Sequence, residues 1–146
     1  MGLLQGIWHN YVLIAAVIAW LVAQLMKIGV NMILLREWDW RMMISSGGFP
    51  SSHTAAAVAL SWGVGKYHGW ESPVFAVAVL FSMIVMYDAT GVRRAAGKQA
   101  ERINQLIENY YQGSDIAQER LKELIGHTPF EVFGGVVLGI IVGVLM

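Results

Sequence analysis

Two histidines stand where this sequence passes from polar to apolar. His53 follows Gly47-Gly48-Phe49-Pro50-Ser51-Ser52 and opens a run of small apolar residues. His127 lies in Gly126-His127-Thr128-Pro129-Phe130-Glu131, just ahead of the last apolar run. An imidazole can attack phosphorus or protonate a leaving oxygen, and Lys or Arg beside it would hold the anion. A glycine-bearing helix start adds unpaired N–H groups and the positive end of the dipole, which also suit phosphate. Plainer duties fit the same residues. Ser51 or Ser52 can cap a helix and the glycines can make a turn, so local pattern leaves both readings open. Thr128-x-x-Glu131 is a capping box with Pro129 at the first helical position, which accounts for Glu131 without chemistry. His127 is not explained by it.

The elements that must position these residues are apolar. Of 146 residues, 56% are hydrophobic and 14% charged, against about 25% charged in soluble domains. Apolar residues also come in blocks, and helices are the default structure for crossing lipid. We therefore expect an all-α membrane protein: a single integral-membrane domain over 1–146, with about four transmembrane helices in a compact bundle. The spans are expected at about 11–35, 52–66, 73–92 and 130–146. The second is short, and a buried or re-entrant helix is its alternative. No Lys or Arg precedes the first span, and its apolar run is longer than a signal peptide's core, so it reads as a retained segment. Cysteine is absent, which removes disulfides, thiol nucleophiles and thiolate metal sites. Ten basic residues balance ten acidic ones, so bulk charge gives no sign of nucleic acid.

Four alternating crossings would put nine of the ten basic residues on one side: Lys27, Arg36, Arg41, Arg93, Arg94, Lys98, Arg102, Arg120 and Lys122. Only Lys66 falls opposite. The positive-inside rule makes the nine-charge side cytoplasmic and both termini external. Gly97 to Gly126 carries Ile103, Leu106, Ile107 and Tyr110, then Ala117, Leu121 and Leu124, at helical spacing about Gly113-Ser114-Asp115. It is expected to form a cytoplasmic amphipathic helical hairpin. Lys27 and Asp88 interrupt apolar spans, where each costs about 2.5–3.5 kcal/mol at a helix centre. Lys27 can snorkel, whereas Asp88 is short; an ion pair of Asp88 with Lys27, Arg93 or Arg94 would relieve both partners. His9 and His68 lie beside Trp8 and Trp70 and read as interfacial companions. Gly135-x-x-x-Gly139-x-x-x-Gly143 suits close helix packing, within the bundle or as a homodimer face.

The stretches PSSHT, YDATGVRRAAGKQAERIN and ELIGHTPFE resemble the divergent branch of the type 2 phosphatidic acid phosphatase and vanadium haloperoxidase superfamily. The resemblance runs from about Leu21 onward. It implies a small integral-membrane protein, in bacteria one of the plasma membrane, and metal-independent phosphatase chemistry without a cofactor. The parent superfamily uses Pro-Ser-Gly-His as one motif, and Pro50-Ser51-Ser52-His53 matches it with Ser52 in place of glycine. By that likeness His53 is the general acid, and Ser51 and Ser52 lie against the phosphate. The superfamily's His-x-x-x-Asp pair resembles His127 and Glu131, which makes His127 the nucleophile and Glu131 its orienting carboxylate. Lys27 corresponds to the phosphate-binding lysine, although Leu34 and Leu35 stand where Arg-Pro would follow. Arg120 precedes His127 by seven positions rather than six. Arg93 and Arg94 are our substitutes for the phosphate-binding arginines, with Asp88 as an ion-pair or orienting partner.

The function so implied is hydrolysis of a lipid phosphate or prenyl (di)phosphate through a phosphohistidine. The changed motifs keep two alternatives in view: a non-catalytic binder or carrier of phosphorylated lipid, and a membrane scaffold subunit.

Overall fold

The computed structural model describes residues 2–35, 47–110 and 126–146. Among these all regular secondary structure is helical. A short helix α1 (Leu3–Trp8) precedes α2 (Tyr11–Leu35), α3 (Ser52–His68) and α4 (Pro73–Tyr87). A π-helical turn (Asp88–Val92) joins α4 to α5 (Arg93–Tyr110), and α6 (Pro129–Leu145) ends the chain. Arg36, Arg41, Arg120, Lys122 and the second arm of the expected hairpin lie outside the described residues. Its first arm differs from expectation. Gly97 onward continues the helix that starts at Pro73, so Pro73–Asn109 reads as one long helix. The change from apolar to polar sequence at Asp88 marks the end of an apolar span, not of helical backbone.

Helix α3 is the hub, packed by α2, α4 and α6. Its sequence explains the role: Ala55, Ala57, Ala59 and Gly63 are buried and small enough to admit three neighbours. Ala15, Ala19 and Ala23, spaced by four on α2, meet Ala55 and Ala59 of α3 and Val142 of α6 in the core. This alanine stripe on α2 has no counterpart in the sequence expectations. Helices α3 and α6 run parallel, as successive contacts of one glycine face show. A Cβ added at Gly135 would lie 2.6 Å from the Ser51 carbonyl oxygen, and one at Gly139 would lie 2.7 Å from that of Ala55. One at Gly143 would press on the Trp62 side chain at 2.6 Å. The Gly135–Gly139–Gly143 stripe is therefore spent inside the chain. Of the two uses the sequence allowed, packing within the bundle is the one this stripe serves.

Serines join α3 to α4. Ser61 Oγ and Ser82 Oγ lie 2.7 Å apart, and Ser82 donates to the Ala57 carbonyl at 2.8 Å. Both are buried, and hydrogen bonds of this kind act as polar glue between apolar helices. The outward surface is the reverse of a soluble protein's. Leu25, Ile33, Val77, Leu80 and Phe133 are all more than half exposed, as side chains facing lipid would be. Among the described residues two helices, Tyr11–Ile33 and Pro73–Asn109, are long and apolar enough to cross a membrane.

Candidate functional site

Helix starts set the site. Ser51 caps α3, its Oγ accepting from the Thr54 N–H at 3.4 Å and from the Thr54 hydroxyl at 3.0 Å. Thr128 caps α6 in a full capping box. The Glu131 N–H donates to Thr128 Oγ1 at 3.3 Å, and the Thr128 N–H donates to Glu131 Oε2 at 3.1 Å. The two starts are tied by the Ser51 N–H, which donates to the Glu131 carbonyl at 2.9 Å. Two positive helix ends thus lie side by side.

A second backbone bond fixes His127. In the π-helical turn the Arg93 N–H reaches back five residues to the Asp88 carbonyl, not four to that of Ala89. The Ala89 carbonyl accepts instead from the His127 N–H at 3.0 Å. A single π turn inside a helix often marks a functional region; here it supplies a docking point for the segment entering α6. Gly126 makes the approach feasible, because a Cβ there would run into the Arg94 backbone.

So placed, His127 is buried, with 3% of its surface exposed. Its Nδ1 lies 2.9 Å from Glu131 Oε2, the same oxygen that completes the capping box. Glu131 thus serves cap and histidine together. Since a carboxylate only accepts, Nδ1 carries the proton and Nε2 presents its lone pair. Nε2 is buried and has no hydrogen-bond partner among the described residues, a rare condition with a cost of about 1–3 kcal/mol. Burial is the largest influence on the ring and pushes its pKa below the ordinary 6.5. The Glu131 hydrogen bond and charge oppose that shift, while the positive charges of Lys27 and Arg93 reinforce it.

His127 forms part of a cavity of about 220 Å³ with His53, Asp88, Arg93 and Gly126; Ile84, Val85 and Ala89 supply its apolar wall. His53 and His127, distant in sequence, therefore line one space. Arg93 Nε lies 2.6 Å from Asp88 Oδ2. Residues five apart stand about 140° apart around a regular α-helix; the wider π turn brings this pair together. Asp88 thus takes Arg93 from the three partners the sequence offered.

The other expected residues lie elsewhere. Ser51 and Ser52 are fully buried, and neither lines the cavity. Ser51 is engaged as a cap, and Ser52 accepts from Lys27 Nζ at 3.4 Å. Lys27, 2% exposed, belongs to a buried polar stripe on α2 with Gln24 and Asn31, and its stem passes under Gly48, whose φ is +91°. Its charge acts on the site from behind the wall. Arg94 follows Arg93 on α5, is exposed, and does not line the cavity. Among the described residues no three His, Asp or Glu side chains converge as a metal site requires. Sequence reasoning missed Ala89 and the π turn, and no side-chain type announces either.

Comparison with known proteins gives this geometry a lineage. The chain is 42% identical over 148 residues to the uncharacterized membrane protein YuiD of Bacillus subtilis (strain 168), covering 94% of each chain. No solved structure matches it. A family model described as Divergent PAP2 family matches residues 8–142, and it is to that family that the chain belongs.

Proposed function

We propose that the protein is an integral-membrane phosphatase that hydrolyses a lipid phosphate or prenyl (di)phosphate through a phosphohistidine. The observation that carries this reading is His127, whose Nδ1 is held by Glu131 and whose buried Nε2 has no partner among the described residues, on a ring that lines a cavity shared with His53 and Arg93. The Nε2 lone pair attacks phosphorus and the bond from phosphorus to the leaving oxygen breaks. Protonated His53 gives that oxygen its proton, and Arg93 stabilises the charge on the other oxygens. Water then attacks the phosphohistidine and passes its proton to His53, phosphate departs, and Nε2 regains its lone pair. Lys27 and the two helix starts add positive potential behind the site, with Ser51, Ser52 and Arg94 as outer supports.

The same reading has α2, α3, α4 and α6 crossing the membrane as a four-helix bundle. Helices α3 and α6, at 17 residues each, meet the lower end of the roughly 17–25 residues a crossing takes. The site end faces the cytoplasm, where basic residues gather, and both termini lie outside. Helix α5 extends on that cytoplasmic side. Purified protein in chelator is expected to release inorganic phosphate from a prenyl phosphate, with vanadate inhibiting. His127→Ala should lose on the order of 10³-fold or more in turnover; undiminished turnover in that variant overturns the reading. A binder or carrier is the second reading, favoured by the inward use of Ser51 and Ser52. Tight binding by wild type with no phosphate release would establish it.

A further inference from the structure

Besides the polar cavity, a second space opens at His53. It is an apolar groove of about 230 Å³, and His53 and Val85 line both spaces, so the two adjoin at these residues. Its floor is the face of α3 that carries His53, Ala56, Ala57 and Leu60, spaced i, i+3, i+4 and i+7. One wall is Trp20 with Ala16, a turn apart on α2; the other is Phe81 with Val85, a turn apart on α4. The small floor residues make the depth, since α2 and α4 both pack on α3. From His53 to Leu60 the groove descends roughly 10 Å along the helix, away from the charged mouth.

We infer that this groove seats the single hydrocarbon chain of a phosphate-bearing lipid whose headgroup occupies the adjoining cavity between His53, Arg93 and His127. The inference rests on the phosphate reading of that cavity and deepens it. Size decides one chain against two. A dry cavity of about 150 Å³ takes benzene, with six carbons, so this groove takes on the order of nine. A prenyl or single-chain alkyl phosphate fits, whereas both chains of a two-chain lipid do not. Lipid tails are as apolar as the groove, so burial there does not draw a chain out of the bilayer. The anionic head must retain the molecule, and the groove selects by shape. Two other apolar grooves, one bounded by Phe133 and Ile141 and one by Trp62 and Trp70, share no residue with the polar cavity.

The test is photolabelling in nanodiscs of neutral lipid, using decyl phosphate with a diazirine near its far carbon, then mapping by mass spectrometry. Label is expected on Trp20, Leu60 or Phe81. Excess unlabelled decyl phosphate should remove it, excess decanol should not, and Leu60→Trp should abolish it while Ile141→Trp does not. Equal labelling by the uncharged decanol probe would overturn the inference by showing bulk lipid in the groove. Label gathered on Phe133 or Ile141 would overturn it by placing the chain elsewhere. Neither readout needs turnover. Absence of hydrolysis with labelling intact sinks the phosphatase alone, and hydrolysis with misplaced label sinks the groove alone.

Discussion

At the residue scale, one carboxylate oxygen does two things. Glu131 Oε2 accepts from both the Thr128 N–H and His127 Nδ1, so a helix cap and the His127 tautomer are fixed together. Glu131→Gln is therefore expected to lower turnover on the order of 10²-fold or more. It should also cost about 1 kcal/mol of stability through the cap, measured by thermal unfolding. It carries a signed signature as well. Glu131 raises the proton affinity of His127, so its loss should move the acid limb of kcat/KM to lower pH, even as the rate falls. Wild type has a sign of its own. The folded value of His127 lies below the ordinary 6.5, so the unfolded chain takes up its proton first as pH falls. This contribution to stability is present above pH 6.5 and is lost as pH drops through the folded value. Asp88→Asn releases Arg93 from a partly exposed ion pair. Anion affinity should then rise about two- to five-fold by titration with vanadate.

At the element scale, the site is assembled where two helix starts meet the π turn inside the long helix Pro73–Asn109. The π turn frees the Ala89 carbonyl, Gly126 lets the chain lie against Arg94, and the Ser51 N–H joins α3 to α6. Gly126→Ala forces a Cβ into backbone and should cost about 1–3 kcal/mol. Because the strain falls beside His127, turnover should drop further than unfolding temperature explains. Gly139→Ala should lose comparable stability with little change in turnover per folded molecule. Much of this was legible beforehand. Thr128-x-x-Glu131 and Ser51 declare their helix starts because capping chemistry is local, and the His53 and His127 motifs named both rings. The π turn was not legible. DATGV contains nothing that sets the register of backbone hydrogen bonds, which depends on a partner segment about 35 residues later. Ser51 and Ser52 show a related limit: a cap and a ligand draw on the same hydroxyl, and the sequence does not tell that packing turns both toward Thr54 and Lys27.

At the scale of the whole molecule, α2 and α3 run antiparallel. Val12 of α2 lies beside Gly63 of α3, while Lys27 reaches Ser52 at the other end of the same pair. The absence of cysteine makes orientation accessible to experiment. Glu71 and Lys98 are both exposed and lie at opposite ends of the bundle. Glu71→Cys should react with an impermeant maleimide on intact cells, and Lys98→Cys only after permeabilisation. The reverse pattern would turn the site outward, and the nine-to-one bias of basic charge would then need a source other than topology.

Trapping the covalent intermediate tests the nucleophile most directly. Protein mixed with radiolabelled prenyl phosphate and quenched in alkali, where phosphohistidine survives, should carry label on the peptide bearing His127. His127→Ala should carry none, and His53→Ala should both gain and lose label more slowly than wild type, because His53 serves both steps. Release of phosphate by wild type with His127 unlabelled, and with the His127→Ala variant still turning over, would contradict the mechanism.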